Sequence, residues 1–144
     1  MKITDLKPTI VWKFFHQVTQ VPRPSKKEGK MIEFLESFAK EYKIAIKKDE
    51  AGNLLMSKPA TPGMEDRPVV VLQSHMDMVC EKNNGTKHDF DNDPIETIVD
   101  GEWLRANGTT LGADNGIGVA AELALLASDD IQHGPIECLF TVDE

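Results

Sequence analysis

The chain has 144 residues, 40% hydrophobic and 28% charged, which is enough apolar material for one domain with its own core. With 16 basic against 24 acidic residues, a net charge of −8 and no basic patch, the expectations exclude nucleic acid and anionic membranes as partners. Two cysteines, Cys80 and Cys138, are too few for a disulfide scaffold and fit a reducing compartment. With no signal-peptide core at the start and no apolar run of spanning length, the expectation is a cytoplasmic protein.

Residues 8–20 read as a first helix. Pro8 suits its first turn, and Val11, Phe14, Phe15 and Val18 recur at spacings of three and four. Val21-Pro22-Arg23-Pro24 stops it, because proline lacks the amide hydrogen a helix needs. A second helix is expected to open with Ser25-Lys26-Lys27-Glu28, the spacing of a capping box, and to bury Ile32, Leu35, Phe38, Ala39 and Tyr42.

Residues 43–48 alternate as a strand. A turn at 49–52 leads to a second strand at 53–57, and the breaker-rich 59–63 is a surface loop. Val69-Val70-Val71-Leu72 then reads as a buried strand covered on both faces, ending in Gln73-Ser74-His75-Met76-Asp77. The polar residues 81–93 form a loop. Residues 95–99 and 102–106 flank Asp100-Gly101, a two-residue hairpin signal. A glycine-rich turn at 112–118 opens a buried helix over 117–127, interrupted by Glu122. A final strand over 136–142 delivers Asp143 and Glu144 at its C-terminal end. Helices alternate with strands, so the fold class is α/β: a three-layer type with a central, mostly parallel or mixed sheet flanked by helices.

Three stretches carry residues suited to chemistry. His75 and Asp77 stand two apart at the end of a strand, where an open α/β sheet presents its site. Imidazole and carboxylate together suit a divalent metal, and a carboxylate beside a metal-bound histidine can orient it. Asp114 lies among Gly112, Gly116 and Gly118. Its spacing G-x-x-x-G-x-G is not the dinucleotide fingerprint, and no phosphate-loop lysine is present. Asp114 is either a cation ligand or a cap for the helix behind it. Glu144 ends an apolar strand and is placed to act on a metal-bound water, or is a solvated tail. His16, His88 and His133 stand apart from such patterns, and Cys80 and Cys138 read as structural.

Together, Ser74-His75-Met76-Asp77-Met78-Val79, the run from Asn107 to Gly118, and Leu139-Phe140-Thr141-Val142-Asp143-Glu144 resemble, in order and spacing, the motifs of the di-zinc aminopeptidase and carboxypeptidase superfamily. Within it they are most similar to the aminoacyl-histidine dipeptidase group, also called cytosolic non-specific dipeptidases. The resemblance implies that His75 binds one metal, Asp77 orients it, Asp114 bridges two metals beside a cis bond to Asn115, and Glu144 is the general base. It implies two divalent ions, zinc by preference, with manganese or cobalt also compatible. It further implies a small dipeptide substrate, Xaa-His or broader, and a homodimer. The expected domain assignment is that residues 1–144 are the N-terminal part of the catalytic domain, without its later ligands or the inserted lid and dimerisation domain, and inactive alone. The alternatives are a related tripeptidase, a deacylase-type amidohydrolase, a nucleotide-binding module, or a non-catalytic α/β domain.

Overall fold

The apolar spacing of the first segments produces two amphipathic helices, α1 (Thr9–Thr19) and α2 (Gly29–Glu41), after a 3-10 turn at Ile3–Asp5. In the computed structural model, which describes Met1 to Glu144, α1 buries Phe14, Phe15 and Val18, and α2 buries Met31, Leu35, Phe38 and Ala39. Phe14 and Phe38 meet edge to face, with ring centroids 5.5 Å apart, so the two helices share one aromatic contact.

Then follow β1 (Ala45–Lys48), β2 (Leu54–Lys58), β3 (Val70–His75), β4 (Thr97–Asp100), β5 (Trp103–Ala106), α3 (Ala113–Ala127) and β6 (Ile136–Thr141). The main sheet has the order β1-β2-β6-β3. It is mixed: β1 with β2 and β2 with β6 run antiparallel, while β6 with β3 runs parallel. Parallel pairing requires a crossover, and α3 lies on the path from β3 to β6. Helix α3 packs on β3 and on α1, which brings the start of α3 to the C-terminal end of β3.

Strand periodicity sets which side chains face the helices. Leu54 and Met56 of β2, and Ile136, Cys138 and Phe140 of β6, are buried, and their alternating neighbours Leu55, Glu137 and Leu139 are only half-buried. The buried set joins residues of all three helices in a core cluster of 19 residues. The Cys138 thiol is sealed in this core, and burial, with Glu122 nearby, pushes it up to about 12.

Three local expectations are corrected. The valines at 69–71 are not covered on both faces. β3 is an edge strand, and Val69, Val70 and Val71 are 52%, 53% and 57% exposed. A run of β-branched residues reports strand propensity, and burial depends on whether another strand or helix covers it. Ser25 and Glu28 do not cap α2: the helix begins at Gly29, with Glu28 at its N-cap and no side-chain cap bond. Their side chains have tertiary partners instead. The hairpin loop is Gly101-Glu102 rather than Asp100-Gly101, because Asp100 pairs with Trp103. Gly101 has φ +60°, and it occupies the first loop position, which a type II′ turn reserves for glycine. No helix is long and apolar enough to cross a membrane.

Candidate active site

Strand β3 turns from exposed to buried as it reaches Ser74 and His75, and Met76 and Asp77 stay buried beyond it. This places His75 and Asp77 at the C-terminal end of the sheet. Met76 N donates to Thr141 O at 2.7 Å, so β6 ends beside them. The start of α3 arrives at the same edge. Around it lies a cavity of about 400 Å³, lined by Ser25, His75, Asp77, Thr110, Asp114 and Glu144 among others. All four residues singled out in the sequence therefore meet at one cavity.

The histidine is held from one side. Its Nδ1 lies 3.0 Å from the Asp77 backbone oxygen and 3.3 Å from Asp77 Oδ1. On the other side, Nε2 lies 3.0 Å from Asp114 Oδ1. With Nδ1 as the donor, Nε2 presents a lone pair to a carboxylate oxygen. Two acceptors at that distance need a proton or a cation between them. An imidazole nitrogen with a carboxylate oxygen is a donor pair that zinc and similar divalent ions accept, so the residues fit a metal. No group of three or more His, Cys, Asp and Glu side chains gathers anywhere in these residues to complete such a centre.

Asp77 is buried, at 3% exposure, and well supplied with donors. Ser25 Oγ donates to its Oδ2 at 2.5 Å, and the Glu144 backbone N donates to its Oδ1 at 3.1 Å. Burial works to raise this carboxyl. The bonds from Ser25, Glu144 and its own amide outweigh that and hold it below the usual carboxylate range.

Asp114 is different. Its side chain is 95% exposed, on the cavity side of the α3 N-terminus. The capping alternative is decided by its neighbour: Asn115 Oδ1, not Asp114, accepts from Gly118 N, at 3.1 Å. The peptide between Asp114 and Asn115 is cis, and both residues depart from helical backbone angles. The Asp114 carboxylate is thus left free of its own helix.

The sequence reading missed four supporting residues. Arg23, treated there only as part of a helix stop, is 1% exposed and donates to carbonyls beside the site. Ser25 and Glu28 have the spacing of a capping box. Glu28 Oε1 instead accepts from Lys26 N and Asp143 N, each at 2.9 Å, and so holds the residue before Glu144. Glu122 is buried beneath the histidine strand and accepts from Ser74 Oγ at 3.0 Å. Burial pushes its carboxyl up to about 7, against that hydrogen bond. The one visible signal was a glutamate placed alone in an apolar helix.

Over 143 residues the chain is 49% identical to the cytosol non-specific dipeptidase of Escherichia coli (strain K12), covering 99% of this chain and 30% of that protein. It superposes on the aminoacylhistidine dipeptidase from Vibrio alginolyticus with a TM-score of 0.98 at 51% identity, over 100% of this chain and 29% of the other. A dinuclear metal-binding peptidase of the M20 family from Bacillus subtilis shares the fold at 16% identity, with a TM-score of 0.56, over 93% of this chain and 35% of the other. No family model matches. The chain spans about 30% of the length of the dipeptidases it matches, and throughout that span it is similar, in sequence and in backbone, to the aminoacylhistidine or cytosol non-specific dipeptidase group.

Proposed function

We propose that the whole protein to which these residues contribute is a cytoplasmic metal-dependent dipeptidase. In this reading residues 1–144 are the N-terminal part of its catalytic domain, and the remaining ligands come from other parts of the protein. The observation that carries the reading is the His75 imidazole, tied at Nδ1 by Asp77 and facing Asp114 Oδ1 at 3.0 Å across its Nε2. The similarity to named dipeptidases supports the same conclusion.

In this proposal His75 and Asp114 would be among the residues that hold divalent ions, two in the complete site and zinc by preference. The bound ions would supply Lewis acidity, acidifying water and polarising the peptide carbonyl. Asp77 keeps the imidazole proton on Nδ1 and the ring in one orientation, so that Nε2 stays available as a ligand. Glu144 takes a proton from the attacking water and returns it to the leaving amine. Its backbone is already tied to Asp77, so its side chain is the part left to work. The nucleotide-binding alternative finds no support at the glycine-rich turn, where Gly118 N is occupied by Asn115 and an exposed carboxylate would repel phosphate.

The test is hydrolysis of an Xaa-His dipeptide by the full-length protein, with and without a chelator, beside a His75→Ala, Asp114→Ala double variant. The expected result is turnover that the chelator abolishes and zinc restores, with none in the variant. Turnover that resists chelation, or that survives in the variant, would overturn the reading.

A further inference from the structure

Arg23 stands between Pro22 and Pro24 in the link from α1 to α2, and it is one of the largest fully buried side chains of the molecule. A buried guanidinium needs acceptors, and Nη1 and Nη2 find them in backbone carbonyls, while Nε has none. Nη1 donates to Met76 O at 2.9 Å and to Asp77 O at 3.2 Å. Nη2 donates to Gly112 O at 2.6 Å. The Arg23 backbone oxygen also accepts from Met78 N at 3.0 Å. One side chain therefore joins the turn after His75 to the turn before Asp114.

The glycines around it are shaped to this group. A Cβ at Gly112 would lie 2.5 Å from Nη2, and one at Gly116 would lie 2.6 Å from the same atom. Gly112 also has φ +74°, so its glycine has a backbone reason as well. Gly116 carries no positive φ. The one severe clash of a Cβ there is with the Arg23 guanidinium, the next contacts being Phe15 at 3.2 Å and Val18 at 3.4 Å. The glycine spacing of the 112–118 turn is thus partly a space reserved for an arginine roughly ninety residues earlier.

We infer that Arg23 is a positioning residue for the site: its planar fork sets the separation of the segments that carry His75 and Asp114. This rests on the metal-site reading above. A lysine carries its three donors on one freely rotating nitrogen, so it lacks the planar fork by which Nη1 and Nη2 reach the two segments at a fixed spacing. Ser25 and Glu28, from the same link, tie Asp77 and Asp143 and complete the bracing.

The experiment uses the full-length protein and zinc alone as the probe. Wild type, Arg23→Lys, Gly116→Ala and the double variant are compared by calorimetric zinc titration, by kcat and KM at saturating zinc, and by circular dichroism. The expected result is folded single variants that bind zinc about 10- to 100-fold more weakly, with kcat lowered and KM little changed. The double variant should be no worse than the weaker single, because both substitutions disturb one guanidinium. Unchanged zinc affinity in folded single variants would overturn the inference. So would loss of fold in both, which would make Arg23 a fold-stabilising residue only. A wild type that binds no zinc would overturn the metal-site reading itself, and the inference with it.

Discussion

Ser25 Oγ donates to Asp77 Oδ2 at 2.5 Å, joining the link between α1 and α2 to the residue that holds His75, across 52 positions of sequence. The acceptor is a nearly buried carboxylate, so the bond is charge-assisted. Ser25→Ala is expected to destabilise the chain by about 2 kcal/mol. In the full-length protein it should also weaken zinc binding about tenfold, because Asp77 then holds the imidazole less firmly. Urea unfolding and calorimetry check the two effects separately.

Glu144→Gln separates the backbone role of this residue from its proposed chemistry. The amide to Asp77 Oδ1 survives the substitution, so folding and zinc affinity should be unchanged. Turnover in the full-length protein should fall by about 10² to 10⁴ if the carboxylate carries the proton. Steady-state kinetics beside zinc titration read both, and undiminished kcat would remove Glu144 from the base role.

Glu122 makes stability depend on pH. Its carboxyl is raised from 4.5 to about 7 by burial, against the hydrogen bond from Ser74, with the Cys138 thiol as the other titratable neighbour. Between those values the folded state binds the proton and the unfolded state releases it, so stability falls as pH rises through this window. The loss is complete above the folded value and amounts to roughly 3 kcal/mol. Glu122→Gln should flatten this slope while wild type keeps it, as measured by urea midpoints from pH 4.5 to 7.5. Parallel slopes in the two proteins would refute the account.

The outer edge of β3 predicts association. Three consecutive valines more than half exposed, on a strand with one free edge, form a template for another strand. The 144-residue chain should sediment as a concentration-dependent mixture, and Val71→Lys should shift it to monomer. Val71 is 57% exposed, so the melting temperature should hardly move. A wild-type chain that stays monomeric at high concentration would count against the edge as a sticking surface.

Much of the fold is local and so was legible. Period-three-and-four apolar spacing places α1 and α2, and breakers bound the strands within a residue or two. The positions of His75, Asp77, Asp114 and Glu144 follow from motif order, and the tertiary structure brings all four to one cavity.

What local pattern could not decide depends on which partner is present in three dimensions. Ser-x-x-Glu has the form of a capping box. Here Ser25 donates instead to a buried carboxylate, and Glu28 accepts from the backbone of both Lys26 and Asp143. Sequence alone leaves Asp114 open between a cation ligand and a helix cap, and the backbone at the start of α3 aims Asn115, not Asp114, at Gly118. The valine run specified a strand, but whether it is buried depends on the neighbours assembled around it, and β3 has one neighbouring strand. Arg23 was unreadable because its acceptors are main-chain carbonyls, which every residue has and no sequence pattern marks. The elements and the candidate reactive groups are readable along the chain, since propensity and side-chain chemistry are local. Burial, hydrogen-bond partners and the bracing of the site follow from the folded chain, because they arise from contacts such as Ser25 with Asp77 and Glu28 with Asp143, 52 and 115 positions apart.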